Sequence, residues 1–401
     1  MNRLLSRTIR LSSVLSVCML LTTGCWSRIE INDRAFVTSM YVDDAGNGQV
    51  RVSLGFPLPN RLVQGQSGGV SNDGNPYTHM TKEGKTIAEA IRKIQNDLSR
   101  EINWGSNRII VVSSQYAKQG MQPLMEYLGR LPHIQLKTYL FVAKEEAEKI
   151  PRMSAVFERF PSEVLREFAR RRMTLNATLR DLMGVQPYGG SLTMGLLLSR
   201  KENLASEKNK IGEWVGTEGA ALIKNYKWVG QMGAEQTEGA LWIMNRMKST
   251  IVKASSPSDE RPVTFDIIKS RSRIRPVWDK DDLVFKMKIT LQAQVLASDS
   301  NLRITDPANI AKLRTALKEE VERIIRKAFD ESLRHKADFY KLGERVELRY
   351  PKRFASIKEK WQHYYAEHAR LELEIDPYIK RAGGEQDPLR AEYGEQEGGG
   401  S

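Results

Sequence analysis

Residue types that could catalyse a reaction or bind a metal occur in this 401-residue sequence, but few of them stand at a useful spacing. No two histidines form His-x-x-x-His or His-Glu-x-x-His, the spacings at which one helix offers two zinc ligands. His363 and His368 would lie about 140° apart around a helix, so they would not share one metal. We therefore predict no metal site. The five histidines are His79, His133, His335, His363 and His368.

One segment matches the nucleophile elbow of hydrolases. Residues 65–69, Gly-Gln-Ser-Gly-Gly, fit Gly-x-Ser-x-Gly, but that motif needs a strand before it and a helix after it, and loops are predicted on both sides. The acidic pairs Asp43-Asp44 and Asp281-Asp282 lie in predicted turns, where Asp is favoured by local hydrogen bonding. No Walker-type phosphate-binding motif occurs. We expect no catalytic residue and no cofactor, and we predict that the protein is not an enzyme.

The N-terminus has the pattern of an export signal. Arg3, Arg7 and Arg10 precede residues 11–23, which carry no charge. The apolar part of this stretch is about a dozen residues, too short to span roughly 30 Å of membrane hydrocarbon. A basic start, a short apolar stretch and a small-residue exit are typical of a signal peptide.

The end of this leader resembles a lipobox. Residues 21–25 read Leu-Thr-Thr-Gly-Cys, in which Gly24 is small enough for the peptidase to cut after it. Cys25 would then supply the thiol that takes the lipid, so we predict a signal peptide over 1–24 and lipidation at Cys25. The alternative is a plain secretory signal followed by a chance cysteine. Cys18 lies inside the leader, so the mature chain could form no internal disulfide.

Positive charge dominates the chain. The formal net charge is +13, and without the three arginines of the leader it remains +10. Such a charge favours contact with anionic lipid head groups or wall polymers, although a solvated basic surface would have the same composition. Basic runs at 170–172 and 269–275 have the same two interpretations, a contact with anionic lipid or a partner, and the solvated side of a helix and a strand. Nucleic acid is not an expected partner of an exported protein.

Hydrophobic periodicity predicts mixed secondary structure in the first half. Residues 35–42 and 49–56 read as a hairpin, and Thr86 with Glu89 forms a candidate capping box at the start of a helix. A strand over 108–113, a helix over 117–128 and a strand over 136–143 suggest a βαβ unit with parallel pairing.

In the second half, the sequence pattern predicts long strands and one long helix. That helix begins at Asp306 and Pro307, an N-cap followed by proline at the first helical position. The predicted class is α+β (mixed α/β) with several domains, each a β-sheet flanked by helices, and the long helix in the C-terminal domain. The predicted divisions are the leader 1–24, an N-terminal region 25–200 (divisible at 145/146), a linker 201–212, a C-terminal domain 213–381 and a disordered tail 382–401.

Several short motifs follow one another along the chain. They are Cys-Trp-Ser-Arg-Ile-Glu-Ile-Asn-Asp at 25–33, Gly-Lys-Thr-Ile-Ala-Glu-Ala-Ile at 84–91, 99–100, 109–111, 117–120 with 123–124, 216–217 with 220, Glu-Gly-Ala-Leu-Trp at 238–242, 306–307, 342–344 and 350–361. In their order and spacing they resemble the Ger(x)C lipoprotein family, the C subunits of spore germinant receptors, and the resemblance extends from Gly24 to about Arg381. Ser27 stands where the family usually has Asp.

The resemblance implies a function that composition does not give. It implies a membrane-anchored lipoprotein subunit on the outer face of the spore inner membrane, working with the receptor's A and B membrane subunits in nutrient sensing. It also implies several α/β domains and no recognised catalytic site. Cys25 is the one residue whose family role carries over.

Two other classes of protein compete with this interpretation. A solute-binding lipoprotein of an importer would have two similar lobes around a cleft, whereas the two halves of this sequence differ. A cell-wall hydrolase would need an activated carboxylate, metal or nucleophile, and none is indicated by the sequence.

Overall fold

The structure is a computed structural model that describes residues 30–62, 75–153, 157–204, 210–280, 282–304 and 306–380, with Ser12 and Ala155. The rest of the predicted leader, Cys25, residues 65–69 and the predicted tail 382–401 lie outside the described residues. The strands are β1 Arg34–Phe36, β2 Ser39–Gly46, β3 Gln49–Pro57, β4 Tyr77–Gly84, β5 Glu101–Asn103, β6 Ile109–Ser113, β7 Tyr139–Ala143, β8 Ala177–Thr178, β9 Leu192–Leu204, β10 Lys210–Lys224, β11 Lys227–Met232, β12 Thr250–Ser255, β13 Pro262–Asp279, β14 Asp282–Ser298 and β15 Ala369–Ile379.

Helices lie between these strands. They are α1 Pro59–Leu62, α2 Ile87–Asn96, α3 Ser114–Gln119, α4 Gln122–Arg130, α5 Pro161–Arg171, α6 Leu179–Gly184, α7 Ala234–Ile243, α8 Pro307–Arg334, α9 Leu342–Arg349, α10 Pro351–Ala355 and α11 Trp361–His368. Strands and helices thus mix along the chain, and the predicted α+β class is confirmed.

A nine-stranded sheet organises the first half. Its order is β11-β10-β9-β7-β6-β2-β3-β4, with β8 paired to β7. The four central strands β9, β7, β6 and β2 are parallel, and the two flanks are antiparallel. Every residue of β6 is buried, the pattern of a strand covered on both faces. Helices α2, α3, α4 and α6 contribute to the core on one face, and α5 with the 3₁₀ segment Ala147–Arg152 contributes to the core on the other.

The predicted βαβ unit is confirmed, because β6 and β7 pair in parallel with Ile109 opposite Tyr139. The single helix predicted over 117–128 was wrong. Gly120, with φ of +133°, ends α3, and α4 starts two residues later. The backbone N–H of Met121 then donates to the carbonyl of Tyr226 at 2.9 Å, which ties this corner to the turn between β10 and β11.

The helix start predicted at Thr86 is present in altered form. The Thr86 hydroxyl accepts a hydrogen bond from the Glu89 N–H at 3.1 Å, as a capping box requires. The Glu89 carboxylate, however, accepts from the N–H of Lys85 at 2.9 Å and not from that of Thr86. Two of the donors at this helix end are therefore satisfied locally.

The segment predicted as a linker, 201–212, contains strand residues. Residues 201–204 belong to β9 and 210–212 to β10, and the two strands pair from Lys210 opposite Leu204 to Ile223 opposite Leu192. The linker prediction was wrong there because a polar strand looks like a linker when no apolar alternation marks it. Residues 205–209 lie outside the described part of the chain.

A four-stranded sheet organises the second half, in the order β12-β13-β14-β15. Strands β12, β13 and β14 are antiparallel, and β15 returns parallel to β14. The long helix is confirmed as α8, where the Asp306 carboxylate accepts from the Ala308 N–H at 2.8 Å. The apolar side of α8 shares one core with alternate residues of the sheet, such as Phe265 and Phe285. Ala220 and Leu222 of β10 belong to the same core, so the two sheets are packed into one body.

Candidate functional site

The two most deeply buried carboxylates among the described residues are those of Asp43 and Asp338. Asp43 lies near the end of β2. It is 1% exposed, and it accepts hydrogen bonds from the backbone N–H groups of Ala147 at 2.6 Å and Glu148 at 3.0 Å. Burial raises the pKa of the Asp43 carboxyl to about 6, against the lowering effect of these hydrogen bonds. The sequence predicted a turn at Asp43, but β2 continues to Gly46, so that prediction was wrong. Asp43 fixes the 3₁₀ segment to the sheet.

The second buried carboxylate is Asp338, which follows α8. It accepts from the N–H groups of Leu342 at 2.9 Å and Gly343 at 2.7 Å, and from the indole Nε1 of Trp361 at 3.1 Å. Burial raises the pKa of Asp338 too. The Ser113 side chain is also hydrogen-bonded to Asp43. Both carboxylates tie separate segments together through backbone N–H groups. Their geometry suits structural support.

The histidines are spread over the molecule. His335 Nε2 lies 3.0 Å from the Glu331 carboxylate, and His363 Nε2 lies 3.3 Å from that of Glu367. The Nδ1 atom of His79 is buried without a hydrogen-bond partner in the described structure. Within the described ranges, no three His, Cys, Asp or Glu side chains come together as metal ligands.

A groove of about 1090 Å³ lies at the edge of the nine-stranded sheet where β2 and β6 end. It runs between the first turn of α2 and the start of α4, with Tyr116 and Tyr127 in its wall. Lys85, Arg130 and Lys227 are cations of this lining. The carboxyl ends of parallel strands are the usual place for ligands in such sheets. The sequence did not predict the groove, because its residues come from four separate segments.

The two predicted basic runs differ in their surroundings. At the end of α5, Arg170 pairs with Glu167 at 2.7 Å, and Arg172 takes a left-handed conformation and donates to the carbonyl of Arg246. Those contacts tie the first run into the fold. The second run lies on β13, where Lys269, Arg271, Arg273 and Arg275 are exposed.

The four residues of the second run share one side of the sheet with two lysines of β14. Register places Arg273 opposite Lys288 and Arg275 opposite Lys286, on the side that faces away from α8. We call these six residues the basic face: Lys269, Arg271, Arg273, Arg275, Lys286 and Lys288.

The predicted lipidation residue, Cys25, is outside the described residues, so its surroundings are not part of the structure. The continuous described part of the chain begins at Glu30 and enters the nine-stranded sheet at the amino end of β2, the edge opposite to the groove. Among the described residues, no helix is both long enough and apolar enough to cross a bilayer.

These features define an α+β protein with two large sheets, a small sheet of β1 and β5, buried structural carboxylates, an open groove and an exposed basic face. Two family models match it: the spore germination protein N-terminal domain over residues 27–184, and the spore germination B3/GerAC-like C-terminal domain over residues 218–383. The chain therefore belongs to the GerAC-like family of spore germination proteins, the C-subunit family of germinant receptors. The resemblance stated from the motifs is confirmed.

Individual relatives are distant but cover nearly the whole chain. Spore germination protein KC of Bacillus subtilis (strain 168) is 20% identical over 402 residues, covering 95% of this chain and 98% of its own length. Spore germination protein B3 of the same organism is 22% identical over 371 residues, covering 88% and 93%. The crystal structure of the GerBC protein matches the fold with a TM-score of 0.52 at 16% identity, covering 85% of this chain and 97% of that one.

Proposed function

We propose that this protein is the lipid-anchored C subunit of a spore nutrient-germinant receptor, required for receptor assembly or signalling. Its partners would be the receptor's A and B membrane subunits and, through Cys25, the bilayer on the outer face of the spore inner membrane. The observation that carries the proposal is the family match across both halves of the chain, next to the lipobox-like residues 21–25.

The anchor would act in two ways, by retaining the protein at the membrane and by limiting the distance of the folded body from it. One acyl chain binds a membrane only marginally, whereas two chains hold a protein durably. From Cys25 to Glu30, five residues span at most about 17 Å even when fully extended. The folded body would therefore stay next to the head groups, where membrane subunits are within reach.

We propose no enzymatic step. Asp43 and Asp338, the two most deeply buried carboxylates described, are engaged by backbone N–H groups, and Asp338 also by an indole. Neither carboxylate lines the groove. The rival function, solute binding for an importer, expects two similar lobes, and the sheets here have nine and four strands in different orders.

Replacing the lipidated residue tests the proposal. The Cys25→Ala variant should leave the membrane fraction and should impair nutrient germination, because the body loses its tether. The matched control is Cys18→Ala, which removes a thiol from the leader and should change neither property. Membrane retention together with a normal germination response in Cys25→Ala spores would contradict the proposal.

A further inference from the structure

The outer side of the four-stranded sheet is uncovered in the part of the chain that the structure describes. Along β13 and β14 the residues alternate, apolar side chains joining the core with α8 and charged ones pointing away. The described helices pack on both sides of the nine-stranded sheet but only on the inner side of this one. Within the described ranges, this large exposed sheet face therefore has no intramolecular partner.

Its charges are unbalanced. On this side, Lys286 is 3.1 Å from Glu372, and Lys288 pairs with Glu374, so the lysines of β14 neutralise the acids of β15. The remaining four cations of the basic face, on β13, have no side-chain partner among the described residues. They are Lys269, Arg271, Arg273 and Arg275.

Because Glu372 and Glu374 already pair with Lys286 and Lys288, the uncompensated charge of this face lies on β13. Arg273 stands directly opposite Lys288, and Arg275 directly opposite Lys286. Like charges in opposite positions of neighbouring strands destabilise a sheet. An external anion would neutralise these cations, and the row from Lys269 to Arg275 extends over roughly 20 Å of strand, so it would meet several anionic groups at once.

The same side also exposes apolar residues. Register places Ile251 of β12 and Tyr378 of β15 on it, 55% and 61% exposed. Two further exposed apolar residues, Ile268 and Leu296, stand at bulges of the same sheet. Cations next to exposed aliphatic and tyrosine side chains are the composition of surfaces that lie on anionic membranes.

We infer that the basic face docks on an anionic phospholipid bilayer, with the β13 arginines on the lipid phosphates and Ile251 and Tyr378 at the interface. A bilayer fits better than an acidic protein because the cations are spread along two strands and accompany exposed apolar residues at separate edges. The inference extends the proposed function: a lipid on Cys25 would keep the bilayer within reach, and the basic face would set the orientation of the body on it.

Vesicle cosedimentation of the unacylated chain from residue 26 onward tests the inference without the anchor. The chain should bind vesicles containing phosphatidylglycerol, should not bind pure phosphatidylcholine, and should be released by salt. The variant Arg271→Gln/Arg273→Gln/Arg275→Gln should bind on the order of 10- to 100-fold more weakly, because each cation near an anionic surface contributes a factor of about five.

The matched control removes three charges from exposed helix positions elsewhere, as Arg92→Gln/Arg166→Gln/Arg170→Gln. It should bind nearly as the unmodified chain does. If the triple β13 variant unfolds, the single reversal Arg273→Glu replaces it, with the same expected direction. If both triple variants lost vesicle binding equally, the binding would depend on net charge alone, and the inference would be overturned.

Two further outcomes would also overturn it. One is no binding of the unmodified chain to phosphatidylglycerol vesicles. The other is unchanged vesicle binding by the β13 variant combined with lost association with the receptor's membrane subunits, which would assign the face to an acidic protein surface. Neither depends on Cys25→Ala, so failure of the anchor and failure of the docking face are distinguishable.

Discussion

In the part of the chain that the structure describes, the nine-stranded sheet is covered by helices on both faces, whereas the four-stranded sheet is covered on one face only. In β6, adjacent residues Ile110 and Val111 belong to different hydrophobic cores on opposite sides of the sheet. In β14, Phe285 belongs to a core, and its neighbour Lys286 is exposed. Parallel strands with helices on both sides read as continuous apolar runs, and half-covered antiparallel strands alternate. One sheet is thus committed to the interior, and the other keeps a face for contact.

The comparison predicts the largest effects at adjacent core positions. Ile110→Ala and Val111→Ala should each lower the free energy of unfolding by about 2 to 4 kcal/mol, since each leaves a cavity in a different core. Phe285→Ala should cost about 4 kcal/mol, but Lys286→Ala should change stability by less than about 0.5 kcal/mol. Denaturant unfolding followed by circular dichroism measures all four.

In that series the exposed residue Lys286 is the control for the buried residues Ile110, Val111 and Phe285. If Lys286→Ala cost as much as Val111→Ala, the outer side of the four-stranded sheet would be packed against something in the folded chain. The contrast between the two sheets would then disappear.

An effect of intermediate size on stability is expected from the titration of Asp43 in the nine-stranded sheet. Its folded-state pKa of about 6 is above that of an unfolded aspartate, so the protonated form favours the folded state. The stabilisation from protonation is present at low pH and is lost as pH rises through 6. Between pH 7 and pH 5, the free energy of unfolding of the unmodified chain should rise by roughly 1 kcal/mol relative to that of Asp43→Asn.

Unfolding of both chains at the two pH values measures this difference. Other carboxyl groups titrate in both chains and cancel in the comparison. A difference between the chains that is independent of pH would show that Asp43 keeps an ordinary pKa.

The same comparison explains how far sequence could predict this molecule. The βαβ unit at 108–143 and the helix start at Asp306 were correct because their signals are local: an apolar run, a cap and a proline. One of the two interpretations of the run 269–275 placed it on the solvated side of a strand, and β13 does carry its cations on an exposed side. Local signals cannot show that no helix covers that side.

The failures come from long-range pairing. Residues 201–204 and 210–212 have linker composition but pair with each other as strands. Asp43 has turn chemistry by type, yet its partners, Ala147 and Glu148, are more than a hundred residues away. The groove likewise joins segments that are distant in sequence. None of these could be found by reading short windows.

The smallest predicted effect sharpens the contrast most directly, because it asks whether the outer face of the four-stranded sheet stabilises the fold. Lys286 and Glu372 are 3.1 Å apart and both are 58% exposed. A cross-strand ion pair that exposed should couple by about 0.2 to 0.5 kcal/mol in a double-mutant cycle with Lys286→Ala and Glu372→Ala, and less at high salt. A coupling energy above about 1 kcal/mol would mean that the face is organised for the chain's own stability. A small value leaves its charges free to act on something outside the molecule.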